Sequence, residues 1–184
     1  MRLLAGLTAG VLVLGACGGA ATAPTASPTV AVATASPSPT PQTKFVFTAD
    51  LKPSNEVPPI TTAEASCSGK GTFTLTTTKD ASGTITAASA LFETDVTGCP
   101  ADTKINIGHI HKEVAGKLGS VVVNSGLVAG ELTLVAGAGK INKTQPTVEG
   151  ALAADIIANP ANYYMNWHST LAPGGVIRGQ LVKM

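Results

Sequence analysis

An all-β fold is predicted for the folded part of this 184-residue chain: an antiparallel Greek-key sandwich or barrel carrying one short helix. Three observations predict it. Apolar and polar residues alternate with period two in segment after segment, the pattern of half-buried strands. Turn signals built on Gly, Pro, Asp and Ser separate these segments. Only one stretch is Ala-rich and long enough to form a helix.

Taken in order, Phe45, Phe47, Ala49 and Leu51 alternate with Val46, Thr48 and Asp50 and predict the first strand. Gly71–Thr77 places Phe73 and Leu75 on one face and threonines on the other. The turn Lys79-Asp80-Ala81-Ser82-Gly83 joins it to Thr84–Ala88 as a hairpin. Ala90–Val96 either continues that strand or bends into another. Strands are then expected at Lys104–His111, Ser120–Val123, Glu131–Val135, Tyr163–Ser169 and Val176–Val182. Val148–Ile157 is Ala-rich, stops at Asn159-Pro160 and is expected to be helical despite Gly150.

The chain begins differently. Arg2, the apolar run Leu3–Leu14 and the ending Leu14-Gly15-Ala16-Cys17 are similar to a bacterial lipoprotein signal with its lipobox. Residues 1–17 are therefore expected to be the signal, with Cys17 as the lipidated residue. Acyl chains contribute about 0.8 kcal/mol per buried CH₂, and two or more hold a protein stably on a membrane. The apolar run is too short to span a bilayer comfortably. The expected location is the extracytoplasmic face of the cell envelope, on the outer membrane if the cell has one. Residues 18–43 contain almost nothing but Ala, Thr, Ser, Pro, Gly and Val, without a charge. Such a stretch buries too little apolar surface to offset its ordering entropy, so a disordered, proline-stiffened linker is expected. The β-domain is then residues 44–184, large enough for one core.

Net charge is +1, with no basic run and no interleaving of aromatic and basic residues, which argues against nucleic acid. Apart from Cys17 the cysteines are Cys67 and Cys99. A pair in an exported domain predicts a disulfide, worth about 3–4 kcal/mol for a loop of this length on the chain-entropy estimate.

Chemistry-bearing residues concentrate in a few motifs. All three histidines lie in two of them, Gly108-His109-Ile110-His111 and Asn166-Trp167-His168. With Asn55-Glu56-Val57-Pro58-Pro59, Gly116-Lys117-Leu118-Gly119 and Pro173-Gly174-Gly175-Val176-Ile177-Arg178-Gly179-Gln180-Leu181, their order and spacing resemble the CHRD domain, named from chordin and common in exported bacterial proteins. The resemblance covers nearly all of residues 45–183. It implies an immunoglobulin-like or related β-barrel fold. In chordin the domain belongs to an extracellular growth-factor antagonist; for bacterial members it implies no established activity. Two positions depart from the pattern. Trp167-His168-Ser169 stands where a β-branched residue, His and Thr are more usual. Val176 stands where an acidic residue often precedes Ile-Arg-Gly, so any ion pair of Arg178 must come from another acid, such as Glu56.

A strand sends residues two apart to one face. Ile105, Ile107, His109 and His111 are thus expected on a common face looking into the core or a cleft, and Tyr164, Asn166 and His168 on another. Three imidazoles brought together by two strands would suit Cu or Zn at about 2.0–2.1 Å, and an open position would allow water activation. The competing reading is a structural polar cluster in which the histidines, Asn166, Ser169, Glu56 and backbone carbonyls satisfy one another. A superoxide-dismutase-like barrel is an analogy for the His-x-His strand, but three histidines are too few for that enzyme's bimetallic site. Glu56, held extended before Pro58 and Pro59, is expected to reach Arg178 as a bidentate pair, which would either orient a ligand or a histidine or, the favoured reading, clip the N-terminal strand to the C-terminal one.

No catalytic residue is assigned. Ser169 and His168 are strand neighbours that point oppositely, and no nucleophile elbow is present. The expected function is a membrane-tethered binding or adhesion module for an extracellular protein or glycan. The alternative is a metal-binding (Cu or Zn) or redox protein using His109, His111 and His168.

Overall fold

The computed structural model describes residues 42–184, which form two antiparallel sheets facing one another with one helix. The expected signal, Cys17 and most of the expected linker lie outside the described residues. The strands are β1 (Gln42–Leu51), β2 (Ser68–Lys79), β3 (Ile85–Thr97), β4 (Ile105–Lys112), β5 (Ser120–Asn124), β6 (Gly139–Glu149), β7 (Tyr163–Ser169), β8 (Ile177–Gln180) and β9 (Val182–Lys183), with α1 (Gly150–Ala158) between β6 and β7. One sheet has the order β6-β3-β2-β1-β9 and the other β5-β4-β7-β8. The fold is an all-β sandwich with one short helix. β1 begins at Gln42, inside the last two residues assigned to the linker from composition.

The hairpin β2–β3 follows its sequence pattern. Phe73 faces Phe92 across the pair, and both are fully buried. Ala90–Val96 continues β3 rather than starting a new strand. Cys67 and Cys99, just outside the two ends of this hairpin, form the expected disulfide. Side chains from both sheets meet between them: Phe47, Phe73 and Phe92 lead to Trp167 through ring contacts of 6.2, 5.0 and 6.2 Å. The indole Nε1 of Trp167 donates to Thr94 Oγ1 at 3.0 Å, so its one polar atom is satisfied inside the core.

Three elements differ from the sequence expectation. The strand expected at Val176–Val182 is two, β8 in the four-stranded sheet and β9 in the five-stranded one, parted at Leu181. Glu131–Val135 is not a strand; its only ladder contact is an isolated bridge from Val135 to Ala138. The strand of that region is β6, which pairs with β3 at the edge of the five-stranded sheet. Its polar run and Pro146 mask it, and an edge strand tolerates both. Only Ile141 and Val148 are buried along it. The helix starts two residues later than expected, at Gly150, because Val148 and Glu149 are still paired with β3.

The two sheets join at one edge. Lys52, just past β1, bridges to Arg178 of β8, with Lys52 N donating to Arg178 O at 3.0 Å and Arg178 N to Lys52 O at 3.2 Å. The chain then crosses onto the outer face of the four-stranded sheet, bringing Glu56 there.

Candidate metal centre

The four-stranded sheet has two buried faces. On β7, Met165 and Trp167 enter the sandwich core, while Tyr164, Asn166 and His168 point away from it and are also buried. β4 is offset by an irregularity. Ile105 pairs with Ser169 and Ile107 with His168, so Asn106 is an extra residue in β4. The bulge corrects the expectation that Ile105 shares a face with the histidines. Ile105 belongs to the core with Ile110, whereas Ile107, His109 and His111 lie on the outer face. Gly108 follows from the same packing, since a Cβ there would lie 2.0 Å from the Trp167 ring.

Register then builds the site row by row. His109, Asn166 and Arg178 stand opposite one another across β4, β7 and β8; His111, Tyr164 and Gln180 form the next row, and His168 stands opposite Ile107. The three histidines converge: one ring nitrogen of each lies within 4.8 Å of those of the other two. His109 Nδ1 and His168 Nε2 are 3.2 Å apart. Two nitrogens on one tetrahedral ion at 2.0–2.1 Å are separated by about 3.3 Å, so this edge already has the spacing that an ion requires.

Backbone carbonyls set the tautomers. His111 Nδ1 donates to Gly119 O at 3.0 Å, and His168 Nδ1 donates to Pro173 O at 2.9 Å. Each ring is left with an unprotonated Nε2, the arrangement by which outer partners orient metal-binding histidines. His168 Nε2 faces His109, and His111 Nε2 is buried without a partner. Burial lowers the pKa of all three, for His109 to about 4, with the neighbouring imidazoles adding to that shift. The cluster is therefore neutral, and metal-competent, at neutral pH. His111 is stacked on Tyr164 at 4.7 Å with rings 4° from parallel, and the Tyr164 hydroxyl accepts from Gly119 N–H. One loop residue thus holds both rings.

Glu56, Asn166 and Arg178 come together beside the histidines, all buried. Asn166 Nδ2 donates to Glu56 Oε2 at 3.5 Å. The expected bidentate pair between Glu56 and Arg178 does not form. The guanidinium lies over the Tyr164 ring, with Cζ 3.3 Å from its centroid, and Nη2 donates to Val114 O at 3.2 Å. These contacts engage the guanidinium in place of the carboxylate. Glu56 Oε1, Asn166 Oδ1 and Arg178 Nη1 have no partner. Burial pushes the Glu56 carboxyl up to about 8 against the opposing pull of Arg178. Gly175 closes the cluster: a Cβ there would lie 2.5 Å from both Glu56 Oε2 and Asn166 Nδ2.

Sequence reasoning passed over Glu64. It is fully buried and its Oε2 accepts from Ser169 Oγ at 2.6 Å, which anchors the end of β7. A lone acid in a loop sequence carries no signal of such burial. The roles of the Gly119 and Pro173 carbonyls were equally invisible, although both residues belong to motifs singled out above.

The chain matches the model of the CHRD domain over residues 47–181, well over half its length. It belongs to the CHRD domain family. No curated protein and no solved structure matches it.

Proposed function

We propose that this CHRD protein is a lipid-anchored, extracytoplasmic protein that holds one copper or zinc ion at His109, His111 and His168. The observation that carries the metal reading is the convergence of three neutral imidazoles, with His111 Nε2 buried and unpartnered. A structural cluster would use up its own lone pairs, since an unsatisfied buried nitrogen costs about 1–3 kcal/mol. A bound ion would accept that lone pair together with those of His168 and deprotonated His109 Nδ1. Imidazole ligands suit both ions, and the general affinity order places copper above zinc. The anchor rests on Arg2, the Leu3–Leu14 run and Cys17; Cys17→Ser should release the protein from the membrane fraction.

The metal reading is tested by adding Zn²⁺ or Cu²⁺ to metal-free protein and measuring bound metal and melting. One ion per chain should be retained. An ion at a hundred times its Kd raises stability by about 2.7 kcal/mol, and His109→Ala should abolish both effects. Retention of no metal together with an unchanged melt overturns the proposal. The broader reading, an interaction module for an extracellular protein or glycan, draws its support from the family and from the cleft beside Arg178.

A further inference from the structure

Arg178 presents a problem of charge that the metal site does not solve. Its side chain is 1% exposed, yet it takes part in no ion pair among the described residues. Tyr164 and the Val114 carbonyl partly solvate it, but Nη1 has no partner. A buried cation without a counter-charge is costly. Arg178 and Glu56 also line a cleft of about 630 Å³, together with Ser54, Asn55, Ala115 and Gln180. Asp50, on the same cleft, is already paired with Lys52 and Lys70 at 2.8 and 2.7 Å.

We propose that this cleft binds a small molecule bearing a single carboxylate, received by Arg178 and Glu56. A carboxylate matches the one buried guanidinium that has no counter-charge, Asp50 being already held by Lys52 and Lys70. A carboxylate oxygen would accept from Arg178 Nη1, and the Glu56 carboxyl, which burial holds protonated near neutral pH, would donate to it. The volume exceeds what one carboxylate needs, and the rest of the lining sets Val57, Pro59, Ala115 and Val182 beside Ser54 and Asn55, which suits a body with both C–H faces and hydroxyls, such as a sugar acid. This inference does not depend on the metal reading, because the cleft and the histidines are separate ends of the same row.

The test is a calorimetric titration of the whole protein with glucuronate, and with glucose, which has the same ring but no carboxylate. Glucuronate should bind and glucose should not. Glu56→Gln, which keeps a donor without a charge, should change the affinity less than threefold. Ala115→Trp fills the cleft from an exposed position, leaving the buried row intact, and should weaken binding at least tenfold; Arg178→Lys should do the same if it folds. His109→Ala should still bind glucuronate, which separates failure here from failure of the metal site. The proposal is overturned if glucuronate does not bind, if glucose binds equally, or if Ala115→Trp leaves the affinity unchanged.

Discussion

The two faces of β7 are both buried and are built on opposite terms. Toward the sandwich, Met165 and Trp167 pack into a chain of phenylalanine rings, and the single polar atom of Trp167 is satisfied by Thr94. On the outer face, Tyr164, Asn166 and His168 lie among four side-chain atoms that are buried without partners: His111 Nε2, Asn166 Oδ1, Glu56 Oε1 and Arg178 Nη1. A protein keeps unsatisfied groups of this kind where something other than its own stability requires them. The core face stabilises the sandwich; the outer face draws on that stability.

The largest effect should come from the core face. Trp167→Ala removes the residue that spans the two sheets, and a fully buried Trp cut to Ala costs about 3–5 kcal/mol. Urea unfolding should show this loss. A loss below about 1 kcal/mol would mean that the aromatic chain does not hold the sheets together.

The contrasting change is His111→Leu, which is also buried and lies in the next strand. In metal-free protein it removes the unpartnered Nε2, worth about 1–3 kcal/mol, and gives up one hydrogen bond to Gly119, worth about 1 kcal/mol. Stability should stay level or rise by up to about 2 kcal/mol, while any stabilisation by added metal disappears. A destabilisation as large as that of Trp167→Ala would make the outer face a structural cluster, and the difference between the faces would vanish.

How much of this contrast the sequence carries depends on the residue. The period of two along Tyr164–His168 is enough to separate core from outer face on β7, and the two histidine motifs are enough to name the cluster. The bulge at Asn106 is not written in any local pattern, so the side taken by Ile105 could be settled only by pairing with β7. β6 shows no strand signal because an edge strand with one fully solvated side needs little alternation, and Pro146 argues against a strand unless its edge position is known. Complementary charge alone suggests a Glu56–Arg178 pair. Charge does not register that an aromatic face and a carbonyl compete for the same guanidinium, and in this fold they win.

The two ends of the outer face should also titrate in opposite directions. The histidines have folded pKa values below their unfolded value of 6.5, so the unfolded chain takes up protons first as pH falls, and stability declines from pH 6.5 toward 4. Glu56 is raised from 4.5 to about 8. The folded state therefore keeps a proton that the unfolded chain has lost, and this contribution, complete below 4.5, is lost as pH rises through 8. Between 4.5 and 6.5 the two oppose each other; between 6.5 and 8 Glu56 acts without the histidines. One proton gives a slope of at most about 1.4 kcal/mol per pH unit. Glu56→Gln should flatten the decline between pH 6.5 and 8 and, with the opposing contribution gone, steepen the acid-side decline between 6.5 and 4.5, read from urea midpoints across the range. If both limbs flattened together, Glu56 and the histidines would be one coupled site, and the outer face would have to be treated as a single unit rather than as a metal end and an anion end.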